Sequence, residues 1–220
     1  SVWHDNVMKD QRSANGYGFM LYYHSNFDIQ RNYCKSVYYH ALYYANRYLY
    51  NSKIESIYAN NTLISTGTSY THYGYYMSNT KFVHNSLYGK GSYMLYWYYM
   101  ANNDIRNNIF YFEGSTYLIY TYNPTWEHWD YNDYYNVGSA SLAYIGGAVY
   151  TNNSALKGYS ATANQNNWDL NPGWVTKDDD THLSATFPDM FGPYVGIDED
   201  IDGDARCTLV STIGSDEKPQ

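Results

Sequence analysis

Six asparagines return along this chain at almost even intervals. They are Asn6, Asn32, Asn61, Asn85, Asn108 and Asn132, separated by 26, 29, 24, 23 and 24 residues. Each sits in the same local frame. An apolar residue precedes it by three (Trp3, Ile29, Tyr58, Phe82, Ile105, Trp129), and an apolar or soft residue follows it by two (Met8, Cys34, Leu63, Leu87, Phe110, Tyr134). A repeat of roughly twenty to thirty residues means that a small unit is copied and stacked, because one copy cannot bury its own apolar face. The period therefore points to a solenoid or array before any element is assigned.

The residues between the asparagines say what the unit is made of. Twelve before the asparagine stand Met20, Leu49, Tyr73, Tyr96 and Tyr120; ten before it stand Tyr22, Asn51, Tyr75, Tyr98 and Tyr122. In a strand these two columns share a face, since side chains alternate. The opposite face carries Phe19, Tyr48, His72, Leu95 and Ile119 at minus 13, and Leu21, Tyr50, Gly74, Trp97 and Thr121 at minus 11. Gly or Ser opens these runs (Gly16, Ser69, Gly91, Gly114) and Asn closes them (Asn26, Asn51, Asn79, Asn102), as turn residues do. Tyr contributes 31 of 220 residues, while only 15% are charged. That balance favours strands over helices. Two or three short strands per repeat make one coil of a β-helix. Coils stack about 4.8 Å apart, so the asparagines form a ladder of side-chain amides. Leucine-rich repeats share the period, but this chain has few leucines to build their scaffold.

Segments such as NNDIRNNIFYF (102–112) and HWDYNDYYN (128–136) resemble right-handed parallel β-helix repeats of the pectate-lyase-like superfamily. The tail extends the likeness. THLSATFP (181–188), GIDEDIDGDAR (196–206) and TIGSDE (212–217) resemble the closing segment of secreted bacterial β-helix proteins. The resemblance implies an all-β, right-handed parallel β-helix of about six coils with an irregular C-terminal cap. The coils would occupy 1–136. Residues 137–220 would hold an irregular excursion, a last coil and the cap, within the same structural domain. It also implies an extracellular or cell-surface bacterial setting. Proteins of that group often continue into a type IX secretion sorting domain, and none lies within these residues.

Charge and hydropathy narrow the partners. The net charge of −8, with no basic stripe, argues against nucleic acid. No apolar run approaches the ~20 residues that span a bilayer. The chain starts in mid-pattern, with Trp3 and Asn6 already in register and no signal peptide ahead of them, so the sequence reads as a fragment of something longer. Cys34 falls on an apolar repeat position and reads as a small core residue; a disulfide to Cys207 stays open.

Three sets of residues are candidates for chemistry. Tyr22, Tyr73, Tyr75, Tyr96, Tyr98, Tyr120 and Tyr122 are expected on an outward face. There they would either stabilise adjacent coils or make a platform for glycans, with other protein subunits as the further partner. Asp198, Asp200, Asp202 and Gly203 reproduce the first half of a D-x-D-x-D-G calcium loop, which makes calcium the candidate cofactor. The twelfth position, however, is Leu209 where such a loop needs Glu, and the same carboxylates are suited to turn hydrogen bonds and to pairing with Arg206. The superfamily contains polysaccharide lyases and glycoside hydrolases, and a hydrolase needs converging carboxylates. The nearest grouping is Glu127, Asp130 and Asp133 beside His128, opposite Asp104 and Arg106 of the preceding coil. The competing reading is an ordinary solvated edge.

The function expected from the sequence is a secreted or cell-surface, non-catalytic β-solenoid: an adhesin, spacer or carbohydrate-binding stalk. The alternatives are a fragment of a carbohydrate-active enzyme and a structural fibre subunit.

Overall fold

The computed structural model describes residues 1–11, 18–22, 26–36, 42–45, 55–122 and 124–218, with side chains for all of these except 10, 11, 22, 36 and 42–45. The chain winds into a parallel β-solenoid of about five turns, and only 3% of its described residues are helical. Each coil supplies three short strands. The first coil holds β1 (Val2–His4), β2 (Val7–Gln11) and β3 (Phe19–Tyr22); the second holds β4 (Asp28–Gln30), β5 (Tyr33–Ser36) and β6 (Leu42–Ala45). The third holds β7 (Ser56–Ala59), β8 (Thr62–Ser65) and β9 (Tyr70–Tyr75); the fourth holds β10 (Thr80–Val83), β11 (Ser86–Gly89) and β12 (Tyr93–Tyr98). The fifth holds β13 (Asn103–Arg106), β14 (Ile109–Phe112) and β15 (Tyr117–Tyr122); the sixth holds β16 (Trp126–Asp130), β17 (Asp133–Asn136) and β18 (Ser141–Ile145).

Equivalent strands stack into three parallel sheets: β1-β4-β7-β10-β13-β16, β2-β5-β8-β11-β14-β17 and β3-β6-β9-β12-β15-β18, the last joined by antiparallel β19 (Ala148–Tyr150). Six stacked strands enclose five full turns, which accounts for the small difference from the six coils expected. The register follows the asparagine frame: Ile29 pairs with Tyr58, Tyr58 with Phe82, and Phe82 with Ile105.

Two residues join each first-sheet strand to its second-sheet strand. The first adopts a left-handed conformation at Asp5, Arg31, Asn60, His84, Asn107 and Tyr131, with φ between 53° and 59°. The second is the ladder asparagine. Its Oδ1 accepts the backbone N–H and the Nδ2 amide of the preceding rung, as Asn85 does from Asn61 at 3.0 and 3.1 Å. Its Nδ2 donates to the carbonyl three residues before that rung, as Asn85 does to Tyr58 at 3.0 Å. Every turn thus sheds its unpaired buried groups onto the next. The ladder runs one rung further than the sequence suggests: Asn132 N–H donates to Asn167 Oδ1 at 2.9 Å.

The interior is one apolar column containing Ile29, Cys34, Leu63, Phe82, Leu87, Trp97, Phe110 and Trp129. His72 lies inside it and accepts a 2.8 Å hydrogen bond from Trp97 Nε1. Neither cysteine is in a disulfide, and Cys34 is buried.

Two parts finish the molecule. The excursion after β19 carries the short helix α1 (Asn153–Lys157), capped by the Asn152 side chain. Leu156, Ala163 and Tyr159 from this excursion close the interior column at its C-terminal end. The tail then runs back along the outside of the second sheet. It contributes the hairpin of β20 (Trp174–Thr176) and β21 (Asp180–Leu183), then the pair β22 (Phe191–Pro193) and β23 (Val210–Thr212). Trp174, Phe187, Met190 and Ile213 pack on Ile64, Tyr88, Ile109 and Tyr111. Second-sheet strands such as β8, β11 and β14 are consequently buried on both faces, which suits the unbroken Ile-Phe-Tyr-Phe run of β14 and the adjacent apolar pairs Leu63-Ile64 and Leu87-Tyr88 of the other two. The stacked strands continue to Ile145, where β18 pairs with β15. The excursion alone closes the end, and the tail lies along the flank.

Candidate functional site

The solenoid offers three outer faces, and they differ in chemistry. The tail covers the second sheet from β8 to β14, while Val7 and Lys9 at its N-terminal edge stay exposed. The first sheet is charged, with Lys81, Asp104, Arg106, His128 and Asp130 outward, and Val195 and Ile197 of the tail cover its Ala59 and Val83. The third sheet turns tyrosines outward.

That tyrosine face is wider than the two columns read from the sequence. Tyr73, Tyr96, Tyr120 and Tyr144 form one stack, with successive ring centroids 5.5, 4.8 and 4.9 Å apart and planes within 16°, 3° and 5° of parallel. Tyr75, Tyr98 and Tyr122 form a second, with centroids 6.0 and 6.2 Å apart. Tyr70, Tyr93 and Tyr117 form a third, at 5.3 and 6.2 Å. A fourth pair, Tyr76 and Tyr99, turns the corner of the sheet. Their rings stack at 4.6 Å and 10°, and both adopt left-handed backbone conformations, φ 59° and 54°. Bulky residues rarely adopt that conformation, so it holds here only because the surrounding coil imposes it.

Alternation aims these side chains out. The strand β12 reads Tyr-Met-Leu-Tyr-Trp-Tyr, with Tyr93, Tyr96 and Tyr98 part-exposed while Met94, Leu95 and Trp97 are buried. Two adjacent inward residues, Met94 and Leu95, break strict alternation. They shift the first tyrosine column to minus 15, a position that strict alternation places on the inward face. Of the seven tyrosines expected on an outward face, Tyr73, Tyr75, Tyr96, Tyr98 and Tyr120 are part-exposed and Tyr122 is exposed. The side chain of Tyr22 lies outside the described residues; its backbone belongs to β3.

The rings lie against one another, so what they offer outward is largely edges and hydroxyls. The hydroxyls of Tyr98 and Tyr120 meet at 3.3 Å. That hydrogen bond, more than burial, raises the Tyr120 phenol above its ordinary range; for Tyr96, burial is the larger cause of the same upward shift. These phenols stay neutral and act as both donors and acceptors.

The acidic candidates do not gather into one centre. Asp133 lies on the second sheet, across the turn from Glu127 and Asp130. It is buried, its Oδ1 accepts Leu170 N–H at 3.0 Å, and burial raises its carboxyl well above the usual range. Asp130 binds the backbone and side-chain amides of Asn166, both at 2.7 Å. Asp104 and Arg106 form a two-point ion pair within their own strand, at 2.7 and 2.6 Å. Glu127 shares a shallow groove of about 170 Å³ with Glu55, Lys81 and Asp104.

The tail aspartates are likewise committed to the tail. Asp200 is buried and accepts the backbone N–H of Asp202, Asp204 and Glu217 at 2.9, 2.9 and 3.0 Å. Asp198 accepts the Tyr194 hydroxyl at 2.5 Å, and Asp202 pairs with His182 at 3.1 Å. Among the described residues, no group of three or more His, Cys, Asp or Glu side chains is disposed to hold a metal ion. Arg206 is buried and binds the carbonyls of Thr212, Gly214 and Ser215, the Oδ1 of Asn60, and Glu217. It pins the tail to the third coil.

No protein-family model matches the chain, and neither a curated protein nor a solved structure matches it. No described helix is long and apolar enough to cross a membrane.

Proposed function

We propose that this protein is a non-catalytic β-solenoid, acting outside the cell or at its surface, that binds a neutral polysaccharide along the tyrosine face of its third sheet. One observation carries the reading: the outward columns from Tyr70 to Tyr144 form a broad, part-exposed aromatic surface with no Lys, Arg, Asp or Glu among them. An exposed aromatic patch of this extent marks an interaction site. Uncharged hydroxyl donors and acceptors, repeated at the coil spacing, suit a polymer of repeated hydroxyls. They provide no counter-charge for a polyuronate. Each contact is weak, and many in register along one chain add up through multivalency. The resemblance of the repeats and tail to secreted bacterial β-helix proteins supports the extracellular setting and membership of the pectate-lyase-like superfamily.

The test is co-sedimentation with insoluble cellulose, xylan and mannan, alongside polygalacturonate. Tyr73→Phe/Tyr96→Phe/Tyr120→Phe keeps the stack and removes three hydroxyls. Binding to a neutral glycan should weaken by roughly tenfold or more, since each lost hydrogen bond is worth about 0.5–1.5 kcal/mol. Binding confined to polygalacturonate, or binding indifferent to the triple change, would overturn the reading. Shortening of the glycan during the assay would favour the carbohydrate-active enzyme, and concentration-dependent filaments in electron micrographs the fibre subunit.

A further inference from the structure

The contact between Tyr98 and Tyr120 has a chemical consequence independent of any glycan. We propose that Tyr98 and Tyr120 form a site of oxidative cross-linking, joined by a carbon–carbon bond between their rings when a peroxidase and hydrogen peroxide reach the tyrosine face.

The geometry supplies the reasons. The two hydroxyl oxygens stand 3.3 Å apart and the ring centroids 5.8 Å apart, with planes at 37°. Coupling of phenols joins the carbons ortho to oxygen. Each ortho carbon is two bonds from its hydroxyl, so an O···O contact of this length sets the reacting carbons on facing edges. Small rotations about the side-chain torsions then complete the approach. The residues lie on β12 and β15, adjacent parallel strands whose register Tyr96↔Tyr120 and Tyr98↔Tyr122 fixes the pair without any backbone movement. Such pre-positioning replaces a chance encounter between two radicals with a neighbour held in place. Both rings are part-exposed, so an oxidant can reach them. The described cysteines offer no competing bridge: neither is in a disulfide, and Cys34 is buried.

Each phenol gives one electron to the oxidised peroxidase and its hydroxyl proton to solvent. The two phenoxyl radicals bond ortho carbon to ortho carbon. Each ring then moves the hydrogen on its bonded carbon to its own oxygen and regains aromaticity. Two hydrogens leave the protein in total, and one hydrogen peroxide becomes two waters. The product is a covalent tie between adjacent coils on the outside of a solenoid that otherwise holds them by hydrogen bonds and packing.

The experiment treats dilute full-length protein with horseradish peroxidase and limiting hydrogen peroxide. It reads intact mass, dityrosine fluorescence and a tryptic map. Trypsin cuts after Lys90, Arg106 and Lys157, so the proposed link joins peptides 91–106 and 107–157. The expected result is a monomer lighter by two hydrogens that yields this linked pair. Tyr98→Phe and Tyr120→Phe should each lower the linked pair at least several-fold, whereas Tyr96→Phe should leave it. Circular dichroism checks that each variant keeps its β-structure, and the phenylalanines preserve the ring packing. Retention of the linked pair in both Tyr98→Phe and Tyr120→Phe, or formation of covalent dimers alone, would overturn the proposal.

Discussion

Replacing Asn85 with alanine should cost this protein far more than the loss of one exposed amide would suggest. Asn85 is wholly buried in mid-ladder. Its Oδ1 accepts two donors from Asn61, the backbone N–H at 3.0 Å and the side-chain amide at 3.1 Å. Its Nδ2 gives hydrogen bonds to Tyr58 O and Asn108 Oδ1, both at 3.0 Å. Alanine leaves both Asn61 donors unmet in a turn that water does not reach. An orphaned buried donor costs about 1–3 kcal/mol, so the pair predicts about 4 kcal/mol. For a chain of this size that corresponds to a fall in Tm of roughly 8–16 °C. The internal reference is Asn6→Ala. Asn6 is an exposed first rung that donates to His4 O and Asn32 Oδ1, and its loss strands no buried donor. It should cost about 1 kcal/mol or less. Thermal melts followed by far-ultraviolet circular dichroism compare the two, with urea melts as a check on reversibility. If the two variants melt within about 3 °C of each other, the ladder is not a principal stabilising device.

Two further outcomes follow from close packing and from buried charge. At Gly114 an added methyl would lie 2.1 Å from both Gly91 O and the Phe112 ring, so Gly114→Ala should destabilise by about 2–3 kcal/mol; Gly147, with φ +98° and nothing within 4 Å, should lose only about 1 kcal/mol on the same change, as urea melts would show. Burial pushes the Asp216 carboxyl up to about 6, above its unfolded value, so the folded chain holds a proton there that the unfolded chain has already lost. That contribution is lost as pH rises from about 4 through 6. Asp216→Asn keeps an acceptor for Leu183 N–H and removes the titration. It should therefore gain stability over the parent above pH 6, with the gap closing towards pH 4. Comparing the two proteins isolates this group from His84, which burial holds neutral and which works in the opposite sense. A gap that widens on acidification would refute the assignment.

The repeat made the coils readable because every rung copies the same demand. A turn with buried amides needs an asparagine, and Tyr58, Phe82 and Ile105 mark the inward face beside it. In the first, third, fourth and fifth coils the minus 13 and minus 11 columns fall inside, as alternation requires; in the second coil the register gives those places to Leu42 and Tyr44 of β6, six residues ahead of Tyr48 and Tyr50, which lie outside the described residues. Reading failed where copying stops. Asn167 completes the ladder 35 residues after Asn132, beyond the last stacked strands and inside the excursion, so no period could announce it. The Tyr70, Tyr93 and Tyr117 column was hidden by the paired inward residues that break alternation in β9, β12 and β15. Glu127, Asp130 and Asp133 are close in sequence, yet the two-residue turn at Tyr131 and Asn132 sends Asp133 onto another sheet. The course of the tail was not legible because its partners, such as Asn60 for Arg206, lie more than a hundred residues away, and local sequence carries no record of such contacts.

The backward course of the tail changes how this array can come apart. Repeat proteins are ordinarily one-dimensional: each unit touches only its neighbours, and fraying can proceed from an end one unit at a time. Here a single segment bonds to Arg31 through Glu199, to Lys35 through Asp179, to Asn60 through Arg206, to Ser86 through Ser215 and to Asn107 through Gly214. Those attachments span four consecutive coils. Losing one coil therefore loosens the grip on the others, and losing the tail loosens all of them together. A chain built by repetition should unfold over that stretch as one cooperative block rather than unravel.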